Sequence, residues 1–175
     1  MDFSTLAAAR YSVRKFRDTK VSREHLDIIL KAAHNAPTAH NNQPQRILVV
    51  NSEEGLKKMD LCTRCRYGAP LVFLICADSS TAWVRPFDSV KSDWVDASIV
   101  TSHMMLQAAD IGVGTTWVMF FEPDKIIKEF KLSEKLLPVA ILVAGYPADD
   151  AAPAPVHSQK NPMESMIFYE EFPAL

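Results

Sequence analysis

Arg10 and Arg14 stand either side of Ser12 in Arg10-Tyr11-Ser12-Val13-Arg14, and further along the chain reads APTAHNNQPQ from Ala36 to Gln45. Two permanent planar cations around a hydroxyl hold a phosphate by charge-assisted hydrogen bonds. A Pro-Thr-Ala turn offers backbone amides to a flat polar ring. Together the two segments point to a phosphorylated aromatic cofactor. On charge alone Arg10 and Arg14 also read as a solvated basic helix end, with Lys15 and Arg17 beside them, and Pro37 to Pro44 also reads as a polar loop. Neither bland reading accounts for the pairing of the two segments.

The other reactive side chains form no competing site. Cys62-Thr63-Arg64-Cys65 would supply two zinc ligands, but no second Cys/His pair follows at suitable spacing, so no metal is expected. The same pair lacks the strand-to-helix start of a redox dithiol, and Cys76 sits in an apolar run as a small hydrophobe would. His40 falls within the second segment; His103 reads as a packed polar residue, and His25, His34 and His157 read as surface. Nothing calls for a Ser-His-Asp set, and no GxGxxG follows a strand.

These residues need a scaffold, and the composition provides for one. The 175 residues are 48% apolar with a net charge of −2, as expected for one globular domain over 1–175 with a real core. Lys and Arg (19) nearly balance Asp and Glu (21), so a nucleic-acid partner is not expected and any cationic site is local. No apolar run approaches the ~20 residues of a membrane span and the N-terminus has no leader pattern, which makes the cytoplasm the expected location. An odd number of cysteines agrees with a reducing compartment.

Ser22 predicts the start of a helix with Leu26, Ile29, Leu30 and Ala33 on one face, ended by Pro37. A strand is expected at Ile47–Val50, a helix from Glu53 to about Leu61, and a strand at Leu71–Ala77 that is covered on both faces and therefore central. Asp93 to Ile111 reads as a long helix stopped by Gly112, apolar on more than one face, hence buried once in the core and once in a subunit contact. Strands at Thr115–Met119 and Val139–Tyr146 flank a short helix near Asp124–Phe130, an α+β or three-layer design. Residues 147–162 hold four prolines and should be extended rather than packed. They lead to Met163, Met166, Ile167, Phe168, Tyr169 and Phe172, which need a surface to bury against.

The blocks RYSVRKF, APTAHNNQP, Asp96-Ala97-Ser98-Ile99-Val100 running into HMMLQAADIGVGTTWV, LLPVAILVAGYP and KNPMESMIFYEEF occur in an order that resembles the short FMN-dependent nitroreductases over nearly the whole chain. The resemblance implies a nitroreductase-like three-layer α+β fold, a mainly antiparallel or mixed sheet flanked by helices, and a homodimer that exchanges its C-terminal arm. FMN would lie at the subunit interface, with NADH or NADPH as electron donor and a nitroaromatic, quinone or similar small molecule as acceptor. By position Arg10, Ser12 and Arg14 would hold phosphate and ribityl from one subunit, while Pro37, Thr38, Ala39 and Asn41 line the flavin from the other. Lys160 matches a basic residue at the phosphate, and Tyr11 and Gln43 lie near the site. Met119, with Phe120, replaces the small residues of a turn whose backbone approaches the flavin's reactive edge. Gln45 replaces a common tryptophan, and Asn161 a frequent basic residue. In such a site the flavin carries the chemistry and Arg14 is the candidate electrostatic stabiliser of its reduced form. The other reading is a flavin-binding storage or sensor protein whose Met119 and Phe120 fill the substrate space.

Overall fold

Ser22 and Ser52 each accept a backbone N–H of the first helical turn, from His25 and Gly55, and so begin two of the five helices among the described residues. The structure is a computed structural model that describes residues 2–173. The order is α1 (Phe3–Ala9), α2 (Arg23–Asn35), β1 (Gln45–Val50), α3 (Glu53–Cys62), β2 (Leu71–Asp78), α4 (Asp93–Asp110), β3 (Gly114–Val118), α5 (Pro123–Phe130) and β4 (Leu136–Gly145). The strands form one sheet in the order β1-β2-β4-β3, every neighbour antiparallel. Among the described residues a parallel pairing occurs only as the bridge from Ser12 to Thr115, so the four-stranded sheet is antiparallel.

β2 is inner and buried throughout except at Asp78, as its apolar run requires. Its alternation separates two cores. Leu71, Phe73, Ile75 and Ala77 pack with α2 and α4, while Val72, Leu74 and Cys76 pack with Met59 and Cys62 of α3 and Ile126 of α5. Helices on both faces explain why an antiparallel sheet reads as a continuous hydrophobic run. In β4 the alternation slips where the pairing jumps from Ile75–Ala140 to Cys76–Pro138, so Val139 and Ala140 both face the α2/α4 core. The bulge adjoins Pro138, which lacks an amide donor.

α4 is buried along Ala97, Val100, Met104 and Ala108, whereas Trp94 and Val95 are exposed and Ile99 and Leu106 half-buried, leaving a second apolar stripe outside the core. Gly112 ends the helix region at φ 76°, a left-handed conformation that glycine adopts without strain.

Helix α1 and the excursion between β2 and α4, closed by a Val84–Lys91 bridge, carry no strong apolar period and were not read from the sequence. Three sequence expectations are corrected, the first being His103, which is exposed rather than packed. Residues 147–157 are not a free strap but pack against their own N-terminal segment. Ala148 N–H donates to Lys15 O, Lys15 and Arg17 pair with Asp150 and Asp149, and Tyr11 donates to Ala151 O. Those acids sit among the prolines and supply the partners that an apolar count misses. His25 is half-buried rather than surface, bonded through Nδ1 to the Tyr146 hydroxyl, and His157 is half-buried edge-on to Tyr11.

Candidate functional site

The N-terminal segment is held on the outer edge of β3. Val13 N–H donates to Thr115 O, the Thr116 hydroxyl donates to Val13 O, and Val13 itself is buried. Close approach is possible because β3 begins with glycine. A Cβ on Gly114 would lie 2.6 Å from Val13 Cγ2 and 3.1 Å from Pro147 Cγ. This docking aims the flanking side chains outward. Arg10 caps the C-terminus of α1, and Ser12 and Arg14 border a cavity of about 220 Å³ shared with Asp150 and Ala151.

Of the four cations in this segment, Lys15 and Arg17 are neutralised by Asp150 and Asp149, whereas Arg10 and Arg14 take no carboxylate partner among the described residues. The solvated-face reading therefore fits Lys15 and Arg17 but leaves the two motif arginines free to receive an anion. Arg14 reaches back to Ser12 O at 3.4 Å and lies 5.9 Å from the Tyr67 ring centroid. Tyr67 is held there in a left-handed turn, φ 55°, beside a guanidinium–carboxylate clamp of Arg66 on Asp60 at 2.6 Å. The phenol is raised by its hydrogen bond to the Cys65 thiol and by burial, with Arg14 pulling the other way.

The second segment leaves α2 at Ala36 and folds into a tight turn in which Thr38 organises the backbone. Asn41 N–H donates to Thr38 O at 2.9 Å and Gln43 N–H to Thr38 Oγ1 at 3.1 Å. His40, Asn41 and Gln43 are all left-handed, with φ of 52°, 56° and 51°. Such backbone persists in non-glycine residues only where its surroundings over-determine it. The restraint comes from α4: buried Asp96 accepts Ala39 N–H at 2.8 Å through Oδ1 and the Ser92 hydroxyl at 2.7 Å through Oδ2. His40 stacks on Trp83 at 5.5 Å, and Pro37 and Asn41 are exposed. At the end of the turn Gln45 Oε1 is a buried acceptor with no donor among the described residues.

Within one chain the two segments do not meet. Ser12 is level with Thr115 and hence Ala144, whereas Gln45 is level with Ala77 and hence Leu137. About seven residues along β4 and roughly four strand spacings across the sheet set them on the order of 30 Å apart. α4 gives a similar result, since Ala39 is tied to its first turn at Asp96 while Arg10 and Tyr11 border Ala109 near its end, ~20 Å along the axis.

Met119 and Phe120 follow β3 and are 54% and 60% exposed. They border a groove of about 580 Å³ with Leu61, Thr63 and Arg64. Lys160 is exposed, just beyond the turn Pro155–Ser158 whose His157 packs on Tyr11. Among the described residues no His/Cys/Asp/Glu group has a metal-binding arrangement, and no helix is long and apolar enough to cross a membrane. Burial raises the thiols of Cys62 and Cys76, the latter to about 11. Asp96, Tyr67 and Arg64 were not singled out by sequence; Asp96 had a signal, an acid in the first turn after Ser92.

The sequence matches the profile of the Nitroreductase family over residues 7–66 and 64–146. A nitroreductase family protein of Clostridium difficile superposes with a TM-score of 0.93 at 40% identity, covering 98% of this chain and 100% of that one. A Methanothermobacter thermautotrophicus protein named for NADH dehydrogenase/NAD(P)H nitroreductase activity is 30% identical over 86% of this chain and 80% of its own length. An FMN-dependent nitroreductase of Clostridium difficile aligns at 27% identity with a TM-score of 0.78, over 95% of this chain and 98% of its own.

Proposed function

The chain belongs to the nitroreductase family of oxidoreductases, and on that premise we propose that it is a homodimeric FMN-dependent enzyme that moves electrons from NAD(P)H to nitroaromatic, quinone or similar acceptors in two alternating half-reactions. The observation that carries the reading is the division of the site. Two arginines without carboxylate partners lie at one end of the protomer, and the strained turn of Thr38 to Gln43 lies on the order of 30 Å away at the other. That separation exceeds the span of one flavin mononucleotide, so each site draws its two halves from different subunits. The exposed stripe of α4 and the uncovered Met163 to Phe172 offer apolar surface for the contact.

The donor set fits the cofactor: free Arg10 beside the Ser12 hydroxyl suits a single phosphate and its ribityl chain, free Arg14 suits an anionic ring edge, and an orphaned acceptor, Gln45 Oε1, adjoins the turn of Thr38 to Gln43. FMN, when bound, supplies a ring that takes a hydride from the nicotinamide and passes electrons on to the acceptor. Arg10 and Ser12 would hold the phosphate and ribityl end, with Lys160 reaching the phosphate from the arm. Arg14, supported by Tyr67, would stabilise negative charge on the reduced ring. Pro37, Thr38, Ala39 and Asn41 of the second subunit line the ring, fixed in place by Asp96, and Tyr11 and Gln43 support the two segments. Met119 would face the reactive edge, as the resemblance implies.

The storage reading required Met119 and Phe120 to fill the substrate space. Both are exposed, and about 580 Å³ stays open beside them, which favours turnover. The test is anaerobic. Purified protein should carry non-covalent FMN rather than FAD, bleach on adding NADH or NADPH and recolour with a quinone, and sediment as a dimer. Protein that takes up no FMN on reconstitution, or stays yellow with both donors, refutes the proposal.

A further inference from the structure

The groove beside Met119 has two walls tied together before any ligand arrives. The Thr63 hydroxyl donates to Phe120 O, and Glu122 N–H donates to Cys62 O at 3.0 Å. Its lining is apolar at Leu61, Met119 and Phe120 and carries three charges, at Asp60, Arg64 and Glu122. Two of them are cancelled locally. Asp60 is bridged by both arms of Arg66 at 2.6 Å, and Glu122 is paired with Lys125 at 2.7 Å. Arg64 is different: among the described residues its guanidinium makes no ion pair, and it lies 4.6 Å from the centroid of the Phe120 ring. The groove therefore combines an aromatic-sized apolar wall with a single uncompensated cation, held by its stacking rather than by a carboxylate.

We propose that this groove receives the electron acceptor and that Arg64 selects acceptors whose aromatic ring carries an anionic substituent, a carboxylate or sulfonate. The inference rests on the flavin-enzyme reading above, since Met119 links the groove to the reactive edge. A ring lying against Leu61, Met119 and Phe120 buries apolar area on both partners, and a pendant anion reaches the guanidinium without displacing an existing ion pair. A neutral ring makes only the first contact. A cation would meet Arg64 unscreened, because Asp60 and Glu122 are already occupied. The same cation would suit the 2′-phosphate of NADPH, so the experiment must separate the two sources of negative charge.

Flavin-loaded protein is titrated with 4-nitrobenzoate and with nitrobenzene, following quenching of intrinsic fluorescence, in the wild type, Arg64→Gln and Arg64→Lys. The wild type should prefer 4-nitrobenzoate by roughly fivefold, the upper end for an exposed ion pair, and the preference should shrink as salt rises. Arg64→Gln should lose it and Arg64→Lys should retain part of it. Equal affinity for the two compounds in the wild type, or an undiminished preference in Arg64→Gln, overturns the proposal. Anaerobic bleaching is measured with NADH and NADPH in the same proteins. A loss in Arg64→Gln confined to NADPH would assign the cation to the donor's phosphate and overturn the acceptor assignment. Failure of the parent reading looks different, as absence of bound FMN or of bleaching by either donor in the wild type.

Discussion

Asp96→Ala should destabilise the protein by about 3 kcal/mol, because it removes the group that holds the ring turn in its left-handed conformation. Asp96 is buried and receives two hydrogen bonds, from Ala39 N–H at 2.8 Å and from the Ser92 hydroxyl at 2.7 Å. Each bond to a charged acceptor contributes ~1.5–3 kcal/mol, and relief of the desolvated carboxylate offsets part of the sum. The turn is predisposed to recoil, since His40, Asn41 and Gln43 all hold positive φ at ~1 kcal/mol or more each. Asp96→Asn keeps an acceptor for Ala39 N–H and offers a donor to Ser92 Oγ, so its cost should be about 1 kcal/mol. In urea, with a slope of ~2–3 kcal/mol/M, the alanine variant should shift the midpoint by about 1 M and the asparagine variant by a third of that. Amide exchange at Ala39 and Gln43 should accelerate in Asp96→Ala. A midpoint within 0.2 M of wild type (about 0.5 kcal/mol) for the alanine variant, or equal losses for the two variants, would refute an anchor built on hydrogen-bond geometry.

Gly114→Ala forces a methyl group to within 2.6 Å of Val13 Cγ2 and should cost ~1–3 kcal/mol while loosening Ser12 and Arg14, read as lower FMN affinity; full affinity would show that the edge docking does not position them. Cys76 is held protonated up to about 11 in the folded state against 9.0 for an ordinary thiol, so its contribution of about 2–3 kcal/mol is complete below pH 9 and lost as pH rises through 11. Urea curves at pH 8 and 10.5 should show that loss, and Cys76→Ala should flatten it; an equally steep alkaline fall in the variant sinks the assignment. Truncation after Ser158 removes Lys160 and the exposed Met163 to Phe172 but spares the contacts of Ala148 to Ala151, so dimer and FMN affinity should fall with little change in monomer stability; sedimentation and flavin titration decide it. Arg14→Ala and Asp96→Ala chains mixed in one dimer should reconstitute one intact site of two, recovering about half of the wild-type flavin through a charge-assisted contact worth ~1.5–3 kcal/mol. Recovery no better than either parent would place both residues in the same half-site.

Much of this architecture is written in local patterns. The apolar run at Leu71 to Ala77 announces an inner strand because seven consecutive side chains must find cover on two faces, and α2 is announced by Ser22 and the spacing of Leu26, Ile29 and Ala33. The two segments of the candidate site were legible for the same reason: their unusual residue types fall within a few positions of one another. What the pattern could not carry was partnership. Lys15 and Arg17 look equivalent to Arg10 and Arg14 in sequence, and only the return of Asp149 and Asp150 across more than a hundred residues distinguishes the paired cations from the free ones. Asp96 was hidden likewise, because a first-turn acid is ordinarily a helix-dipole residue, and its second role depends on a turn that precedes it by 57 positions.

In the proposed dimer, the docking of residues 147–157 bears on how the shared site is divided. Had that stretch been a free strap, Lys160 could have reached either subunit. Ala148 to His157 instead lie along Tyr11 to Arg17 of the same chain, held by a backbone bond, two ion pairs and the Tyr11 contacts. Lys160 follows His157 by three residues, at most ~11 Å of extended chain, so it stays on the side of Arg10 and Arg14. In the proposed dimer the cationic half would therefore come from one protomer, and the half anchored by Asp96 at the far end of α4 from the other. Exposed Tyr169 and Phe172, at 86% and 83%, lie beyond the docked stretch, and in the proposed dimer they are the side chains that would cross to lock the two halves together.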